Sequence, residues 1–252
     1  MKSFFISLAV VSVQIMMILT DGPYTYATFA KRVIHWDAKY YACIGDSGYQ
    51  FAYPSLITTC QSNNVAFWPL FPIFGRYFSH WFRVPVQDAL IGVGLLAALG
   101  FWFTLLRVLK RSDLTPLVQT AVVFFLFSYP TAFFMNLPYT EGLYLFFTTA
   151  LACAFFSATE SWLIYPLLFL LGLGLSLTRV QGVAMLASFG LIFILRFKDS
   201  LVRNRAVAAG LGIVSGLMGF FCVPPGKFRR VEDYFLYSKV RLWFDSKLFQ
   251  TV

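Results

Sequence analysis

VQDALIGVGLLAALGFWFTLL, residues 86–106, is the stretch that decides the fold class. It carries one charged residue, Asp88, near its beginning and otherwise consists mostly of apolar and small residues. An α-helix needs about 20 predominantly apolar residues to cross the roughly 30 Å of hydrocarbon in a bilayer. The stretch is therefore predicted to be a transmembrane helix.

Further apolar stretches predict the same structure elsewhere in the chain. They lie at residues 4–19, 117–135, 144–156, 162–177, 183–195 and 206–223. Two are short for a span, and the fourth span is expected to begin near Pro138. The first lacks a small-residue cleavage site, which favours an uncleaved signal-anchor helix. The sequence thus predicts an all-α, polytopic protein of about seven transmembrane helices, with residues 1–252 forming a single transmembrane domain.

Composition and charge support membrane lipids as the surroundings and argue against nucleic acid as a partner. Of the 252 residues, 59% are hydrophobic and 12% are charged, whereas soluble domains carry about 25% charged residues. The net charge of +9 is best explained by Lys and Arg residues that flank the spans at headgroup level.

The distribution of basic residues predicts the orientation. The short segments 107–113 and 196–205 are rich in Lys and Arg and are predicted to be cytoplasmic. The segments 20–85, 136–142 and 178–182 then lie on the opposite side. The C-terminal segment that follows is basic and also falls outside, contrary to the rule. Its cations either have a function there or indicate a miscounted span.

Residues 20–85 form a long extracytoplasmic loop in this topology. Phe29, Val33, Trp36, Tyr40 and Ile44 recur at helical spacing, which predicts a helix lying in the membrane interface.

A second part of this loop, residues 66–82, is aromatic and contains prolines, which predicts a proline-broken interfacial or re-entrant segment. Cys43 and Cys60 share the loop, and a disulfide between them is an option if the loop is extracytoplasmic.

Acidic and basic side chains on this outer side are the candidates for chemistry. Asp37 lies among aromatic residues, where desolvation would raise its pKa and suit it as a general base; the alternative is a solvated residue or a helix cap. Glu141 either belongs to a functional site on this outer side or is an acidic residue favoured at a helix N-terminus. Arg179 either recognises an anion such as phosphate or extends to the lipid headgroups.

Several kinds of catalytic motif are absent from the sequence. It has no D-x-D pair for a metal-bound nucleotide sugar, no glycine-rich phosphate loop, no Cys/His metal set and no G-x-S-x-G nucleophile. We therefore expect no metal and no cofactor. Any catalysis is expected to use carboxylate and arginine groups at the membrane surface, on a lipid-borne substrate.

Four motifs taken together resemble a known family. HWDAKYYACIGDSGY (35–49), AFWPLFPIFGR (66–76), NLPYTEGLY (136–144) and LTRVQG (177–182) are similar in order and approximate spacing to those of the PIG-V-type mannosyltransferases. That family adds the second mannose of the glycosylphosphatidylinositol (GPI) anchor precursor and has bacterial relatives. It belongs to the GT-C class of membrane glycosyltransferases, which carry interfacial helices and the active site in the first extracytoplasmic loop.

The resemblance implies an activity and a set of site residues. It implies transfer of mannose from a dolichyl or other polyprenyl phosphate-mannose donor to a glycolipid acceptor. Asp37 and Asp46 take the catalytic positions. The implied substrate-binding residues are His35, Trp36, Tyr49, Glu141 and Arg179. The implied location is the endoplasmic reticulum membrane, or the plasma membrane for a bacterial chain.

Length and motif details leave alternatives open. The eukaryotic enzymes are longer, and Gly45, Trp68 and the TRVQG segment depart from the family pattern. One alternative is therefore a truncated or non-catalytic GT-C-like subunit that acts with a membrane partner. Another is a transporter or scramblase, which would place ionisable residues inside the spans; here the spans are almost free of charge.

Overall fold

A computed structural model describes residues 2–18, 25–48, 67–129 and 132–222, with the backbone alone at residues 2, 133 and 219–222. Within these ranges all regular structure is helical, which confirms the predicted all-α class. In chain order the helices are α1 (Lys2–Ile18), α2 (Tyr26–Val33), α3 (Asp37–Ser47), α4 (Leu70–Phe82), α5 (Val86–Arg111), α6 (Pro116–Ser128), α7 (Thr140–Phe155), α8 (Ile164–Thr178), α9 (Gln181–Leu195) and α10 (Ser200–Cys222), with a 3-10 turn at Ala132–Asn136 before α7.

Helix length separates the apolar helices. Among the described residues, α5 is the one helix both long and apolar enough to cross a membrane. Helices α1, α6, α7, α8 and α9 are apolar but are only 13–17 residues long. The predicted seven-span count is therefore only partly matched, although each predicted span contains a helix.

Polar contacts show which helix ends lie together. Lys110 Nζ donates to Ser3 Oγ at 3.0 Å, and Arg111 Nη1 donates to the Cys153 carbonyl oxygen at 3.1 Å. Arg205 Nη1 donates to the Phe155 carbonyl oxygen at 2.7 Å. The start of α1, the ends of α5 and α7 and the start of α10 therefore share one end of the bundle. We call it the basic end, since the two predicted cytoplasmic segments lie there.

Small residues allow two of the helices to pack closely. A Cβ atom on Gly172 of α8 would collide with the carbonyl oxygen of Ala209 on α10, and one on Gly212 of α10 would collide with that of Phe169 on α8. Close backbone approach at small residues is typical of helix pairs in membranes, where dispersion contacts drive association.

Two helices occupy the region where a single interfacial helix was predicted. The chain leaves the helical conformation at Ile34 and resumes it at Asp37, with Trp36 at a φ of 42°. A φ in this region is unusual for a residue with a side chain, so the packing on either side holds it there. The prediction of one continuous helix through Ile44 is wrong, because the break redirects the chain before Asp37.

Helix α4 corrects the second prediction for the loop. Residues 70–82 form a regular helix that the prolines do not break. Pro69 is its N-cap and Pro72 lies in its first turn, where a missing N–H costs nothing. Phe71 is buried, while Trp81 on the other face is 83% exposed. This two-sided helix fits the predicted interfacial position.

The boundaries of two predicted spans also change. The span predicted at 117–135 ends at Ser128, because Tyr129 is extended and the residue before a proline disfavours the helical conformation. The next helix begins at Thr140, close to the Pro138 start that the sequence suggested.

Candidate functional site

Three charged residues from three helices lie together at the end of the bundle opposite the basic end. Asp37 begins α3, Glu141 lies in the first turn of α7, and Arg179 follows the last residue of α8. Arg179 Nη1 and Glu141 Oε1 form an ion pair at 2.5 Å. The charges of both residues act on Asp37. We call this cluster the outer site.

Two tyrosine hydroxyls connect the segments that carry the outer site. Tyr139 donates a hydrogen bond of 3.0 Å to the carbonyl oxygen of His35, and Tyr41 donates one of 3.3 Å to Thr140 Oγ1. Tyr41, Tyr139 and Thr140 are all at least 95% buried. The α2–α3 junction is therefore fixed against the segment that begins α7.

The surroundings raise the pKa of the Asp37 carboxyl above its ordinary value. Partial burial is the largest cause, and the negative charge of Glu141 adds to it, while the positive charge of Arg179 opposes it. Burial raises the pKa of Tyr139 to about 12, and the negative charges of Asp37 and Glu141 contribute to this shift. Tyr139 therefore stays a neutral hydrogen-bond donor across the physiological range.

This arrangement gives Asp37 the properties of a general base. Its side chain is exposed, so the hydroxyl group of a bound ligand could reach it. Its raised pKa makes the carboxylate a stronger proton acceptor than an ordinary aspartate. Glu141 is already paired with Arg179, so Asp37 is the carboxylate of this cluster that forms no ion pair among the described residues.

Four of the five predicted substrate-binding residues lie in the outer site or directly beside it. His35 and Trp36 directly precede Asp37 and are exposed. The sequence motifs predict Glu141 and Arg179 as separate candidates, and in the structure the two form one ion pair. Tyr49 lies outside the described residues.

Asp46 does not share the outer site. It lies nine positions after Asp37 on α3, which corresponds to about 13 Å along the helix axis. Its side chain is exposed, accepts a hydrogen bond of 3.3 Å from Ser47 Oγ and lines a separate pocket of about 550 Å³ beside Arg76 and His80. The two predicted catalytic carboxylates are thus at opposite ends of one helix.

A larger cavity adjoins the outer site and was not predicted. Its volume is about 790 Å³, and it lies between α1, the α2–α3 junction, the end of α6 and the segment before α7. His35, Trp36 and Tyr139 belong both to its wall and to the neighbourhood of Asp37, and Arg32 and Gln14 also line it. We call it the junction cavity. Tyr139 stood within the quoted NLPYTEG motif, but neither Arg32 nor Gln14 belongs to any motif.

A buried amide pair supports the wall of this cavity. Asn136 Nδ2 donates a hydrogen bond of 2.8 Å to Gln14 Oε1, and both side chains are almost fully buried. Gln14 Nε2 and Asn136 Oδ1 have no partner among the described residues. The pair joins α1 to the 3-10 turn that leads into α7.

One cysteine of the predicted loop is disulfide-bonded. Cys43 on α3 is disulfide-bonded, and its predicted partner Cys60 lies outside the described residues. Within the described ranges, no group of three or more His, Cys, Asp or Glu side chains is arranged to hold a metal ion.

Comparison with known proteins found no relative. No family model matches the chain, and no curated protein or solved structure matches it.

Proposed function

We propose that this chain is a membrane-embedded GT-C-type glycosyltransferase that transfers mannose from a polyprenyl phosphate donor to a glycolipid acceptor. In this proposal α1 and α5–α10 cross the membrane and the outer site faces the lumen of the endoplasmic reticulum, or the outside of a bacterial cell. The second mannose of the GPI precursor is the transfer that the motif resemblance favours.

The observation that carries the proposal is the convergence at the outer site. Residues 37, 141 and 179 come from three separate motifs, and they meet beside one cavity. A base with a raised pKa is what deprotonation of a sugar hydroxyl requires. The outer site lies at the start of α7 and the basic end lies at its end, so the proposed chemistry is confined to one end of the bundle.

The proposed reaction is a direct displacement. Asp37 accepts the proton of the acceptor hydroxyl as its oxygen attacks the anomeric carbon of the donor mannose. The bond between that carbon and the phosphate oxygen breaks, and the polyprenyl phosphate leaves with the electron pair, which inverts the anomeric configuration. Alignment and charge stabilisation supply much of the rate acceleration in such steps. In this proposal the Glu141–Arg179 ion pair sets the electrostatic environment of Asp37.

The test is transfer by the purified full chain in lipid nanodiscs, with radiolabelled dolichyl phosphate-mannose and a mannosylated GPI precursor. We expect Asp37→Asn to lower turnover by about 100-fold or more, because general-base catalysis contributes on this scale. Asp113→Asn is the matched control, since Asp113 is exposed in the loop between α5 and α6, and it should retain parental turnover.

Two results would count against the proposal. Equal turnover in Asp37→Asn and the parent would exclude Asp37 as the base. An inactive parent that gains activity only with a co-purified membrane subunit, and keeps it when Asp37 is changed, would favour the non-catalytic partner role.

A further inference from the structure

The pocket beside Asp46 lies where the end of α3 meets α4 and the start of α5. Its volume is about 550 Å³, which falls within the range of small-molecule sites. We call it the α4 pocket, because α4 supplies most of its wall. The lining residues are Gly45 and Asp46 from α3, Val86 from α5, and Ile73, Arg76, Tyr77, Ser79 and His80 from α4.

Helix α5 sets the depth of the α4 pocket in the proposed membrane orientation. This helix has 26 residues and is therefore about 39 Å long, which exceeds the roughly 30 Å of hydrocarbon in a bilayer. Its last residue, Arg111, belongs to the basic end, so its first residue, Val86, lies at the opposite surface. The α4 pocket is consequently at the level of the lipid headgroups.

Helix α4 is held against α5 and presents aromatic rings outward. A Cβ atom on Gly75 would collide with the side chain of Leu90 on α5, so the two helices are in close contact there. Tyr77 and Trp81, one turn apart on α4, are 69% and 83% exposed. Tyrosine and tryptophan are enriched at the headgroup level of membranes. The outer face of α4 is therefore suited to lipid contact beside the pocket.

Two basic side chains line the α4 pocket. Arg76 and His80 are four residues apart on α4 and thus share a face of the helix. Both are exposed, and neither side chain forms an ion pair or a hydrogen bond with another described residue. A guanidinium group matches phosphate oxygens with its planar fork of N–H donors, and an imidazole ring adds a further N–H donor. This face of α4 fits a phosphate group.

A carboxylate lines the same pocket without neutralising these groups. Asp46 accepts a hydrogen bond of 3.3 Å from its neighbour Ser47, and among the described residues it forms no ion pair with Arg76 or His80. A simple anion in the pocket would be repelled by Asp46, and a simple cation would be repelled by Arg76. A ligand that carries a phosphate and an ammonium group a few atoms apart would satisfy both. The pocket therefore favours a zwitterionic ligand.

The side chains of the pocket also distinguish between the two common zwitterionic headgroups. The primary ammonium of ethanolamine carries N–H donors that a carboxylate accepts in charge-assisted hydrogen bonds, whereas the quaternary ammonium of choline has none. Choline is typically recognised by cages of aromatic rings, and Tyr77 is the one Phe, Tyr or Trp among the described lining residues. Asp46 beside a single such ring therefore favours ethanolamine.

We infer that the α4 pocket binds the headgroup of phosphatidylethanolamine, with Arg76 and His80 on the phosphate and Asp46 on the ammonium group. The bound lipid fastens the end of α3 to the membrane surface, and α3 is the helix that begins with Asp37. Asp46 then serves lipid binding and not the transfer reaction. The inference depends on the position of α5 in the membrane and does not depend on any transferase activity.

The test is photolabelling of the full chain in phosphatidylcholine nanodiscs that contain a small fraction of phosphatidylethanolamine with a diazirine near the start of one acyl chain. We expect labelling to concentrate in peptides from α4 and from the first turns of α5. Helix α6 is the internal reference for random lipid contact, because none of its residues is buried. Equal labelling of α4 and α6 would overturn the inference.

Competing lipids identify the headgroup and its source. Unlabelled phosphatidylethanolamine should displace the probe. Phosphatidylglycerol, which has no ammonium group, and soluble phosphoethanolamine, which has no acyl chains, should each require at least tenfold more. Equal competition by phosphatidylglycerol would show that the pocket recognises phosphate alone, and equal competition by phosphoethanolamine would show a site for a free headgroup; either result would overturn the inference. These measurements use the parent chain, so they need no variant.

Charge variants test the two parts of the ligand separately. Asp46→Asn should weaken probe binding at least tenfold, because a hydrogen bond to a charged group contributes on this scale, and the preference over phosphatidylglycerol should disappear. Arg76→Gln should weaken the binding of both lipids. Arg83→Gln is the matched control, because Arg83 follows α4, is exposed and does not line the pocket; it should bind within twofold of the parent.

Two outcomes with these variants would contradict the inference. One is parental binding by Asp46→Asn or by Arg76→Gln. The other is an equal loss of both lipids in Asp46→Asn, which would remove the assignment of Asp46 to the ammonium group. Thermal unfolding of each variant confirms that it is folded, and Asp46→Glu should keep the preference for phosphatidylethanolamine.

This experiment separates the inference from the proposed function. Binding requires no turnover, so Asp37→Asn should be labelled like the parent while it loses transfer. A parent that is labelled as expected but transfers no sugar would contradict the proposed function and leave the inference standing. A parent that transfers mannose but shows no preference for phosphatidylethanolamine would do the reverse.

Discussion

The hydroxyl of Tyr139 donates its hydrogen bond to the carbonyl oxygen of His35, 104 residues earlier in the chain. His35 lies in the break between α2 and α3, two residues before Asp37, and Tyr139 lies two residues before Glu141. One bond therefore connects the two segments that carry the carboxylates of the outer site.

Loss of this bond should loosen the α2–α3 junction. Tyr139→Phe removes the hydroxyl and with it the hydrogen bond to the His35 carbonyl oxygen, which should cost about 1 kcal/mol of stability. We expect a lower thermal unfolding midpoint and faster hydrogen exchange at residues 34–38. Tyr77→Phe is the control, since Tyr77 is exposed on α4, and it should change neither. Unaltered exchange in Tyr139→Phe would show that packing alone holds the junction.

Loss of Glu141 and loss of Arg179 should shift the pH profile of transfer in opposite directions. Asp37 must be ionised to act as a base, so turnover falls as the pH drops through its raised pKa. Glu141→Gln removes a charge that raises this pKa, and the acid limb should move to lower pH. Arg179→Gln removes the charge that lowers it, and the limb should move to higher pH. The measurement is turnover against pH for the parent and both variants, and shifts of the same sign would contradict the assignment of Asp37.

Gly94 on α5 should tolerate no side chain. A Cβ there would lie 2.7 Å from the carbonyl oxygen of Leu137, which belongs to the backbone of the segment leading to Tyr139 and cannot easily move. Gly94→Ala should therefore cost about 1–3 kcal/mol and lower the thermal midpoint. Gly92→Ala is the matched control on the same helix, because nothing lies within 4 Å of its Cβ position, and it should be neutral or slightly stabilising. Equal midpoints for the two variants would contradict the close approach of Leu137.

Arg205 should matter more for stability than its neighbours in the basic end. Its guanidinium donates hydrogen bonds of 2.7, 2.7 and 2.6 Å to the carbonyl oxygens of Phe155, Ser157 and Thr159, and it is 4% exposed. Arg205→Gln should cost about 3 kcal/mol, the scale of losing hydrogen bonds from a buried charged donor. Arg203→Gln, which removes one bond to Phe197, is the control for charge. Denaturation in detergent of both variants measures the difference, and a similar loss in each would assign the effect to charge alone.

The helices could be predicted from the sequence because hydrophobicity is a local property. Each predicted span contains an apolar helix, and the basic segments meet at one end, as the charge pattern indicated. The break at Trp36 could not be predicted, since its φ of 42° depends on contacts with distant segments. The spacing of Phe29, Val33 and Trp36 continues through the break and favoured one helix.

The sequence predicts which residues form the site, but it does not predict how they contact one another. The motifs drew attention to Asp37, Glu141 and Arg179, yet opposite charges on the same predicted side were the only sign that Glu141 and Arg179 would pair. Asp46 looked equivalent to Asp37 in the motif, and only the length of α3 separates them. The sequence gives no sign that Arg32 lines a cavity, because its position depends on contacts with the end of α1.

The pairing of Glu141 with Arg179 also has a consequence for biosynthesis. A ribosome delivers α7 before α8, so for a period Glu141 exists while its counter-ion, Arg179, is still untranslated. Nascent chains arrested before residue 179 should therefore present the first turn of α7 with Glu141 lacking this ion pair. Completion of α8 ends that interval, so the three charged residues can come together only once residue 179 has been made, while α9 and α10 are still to follow.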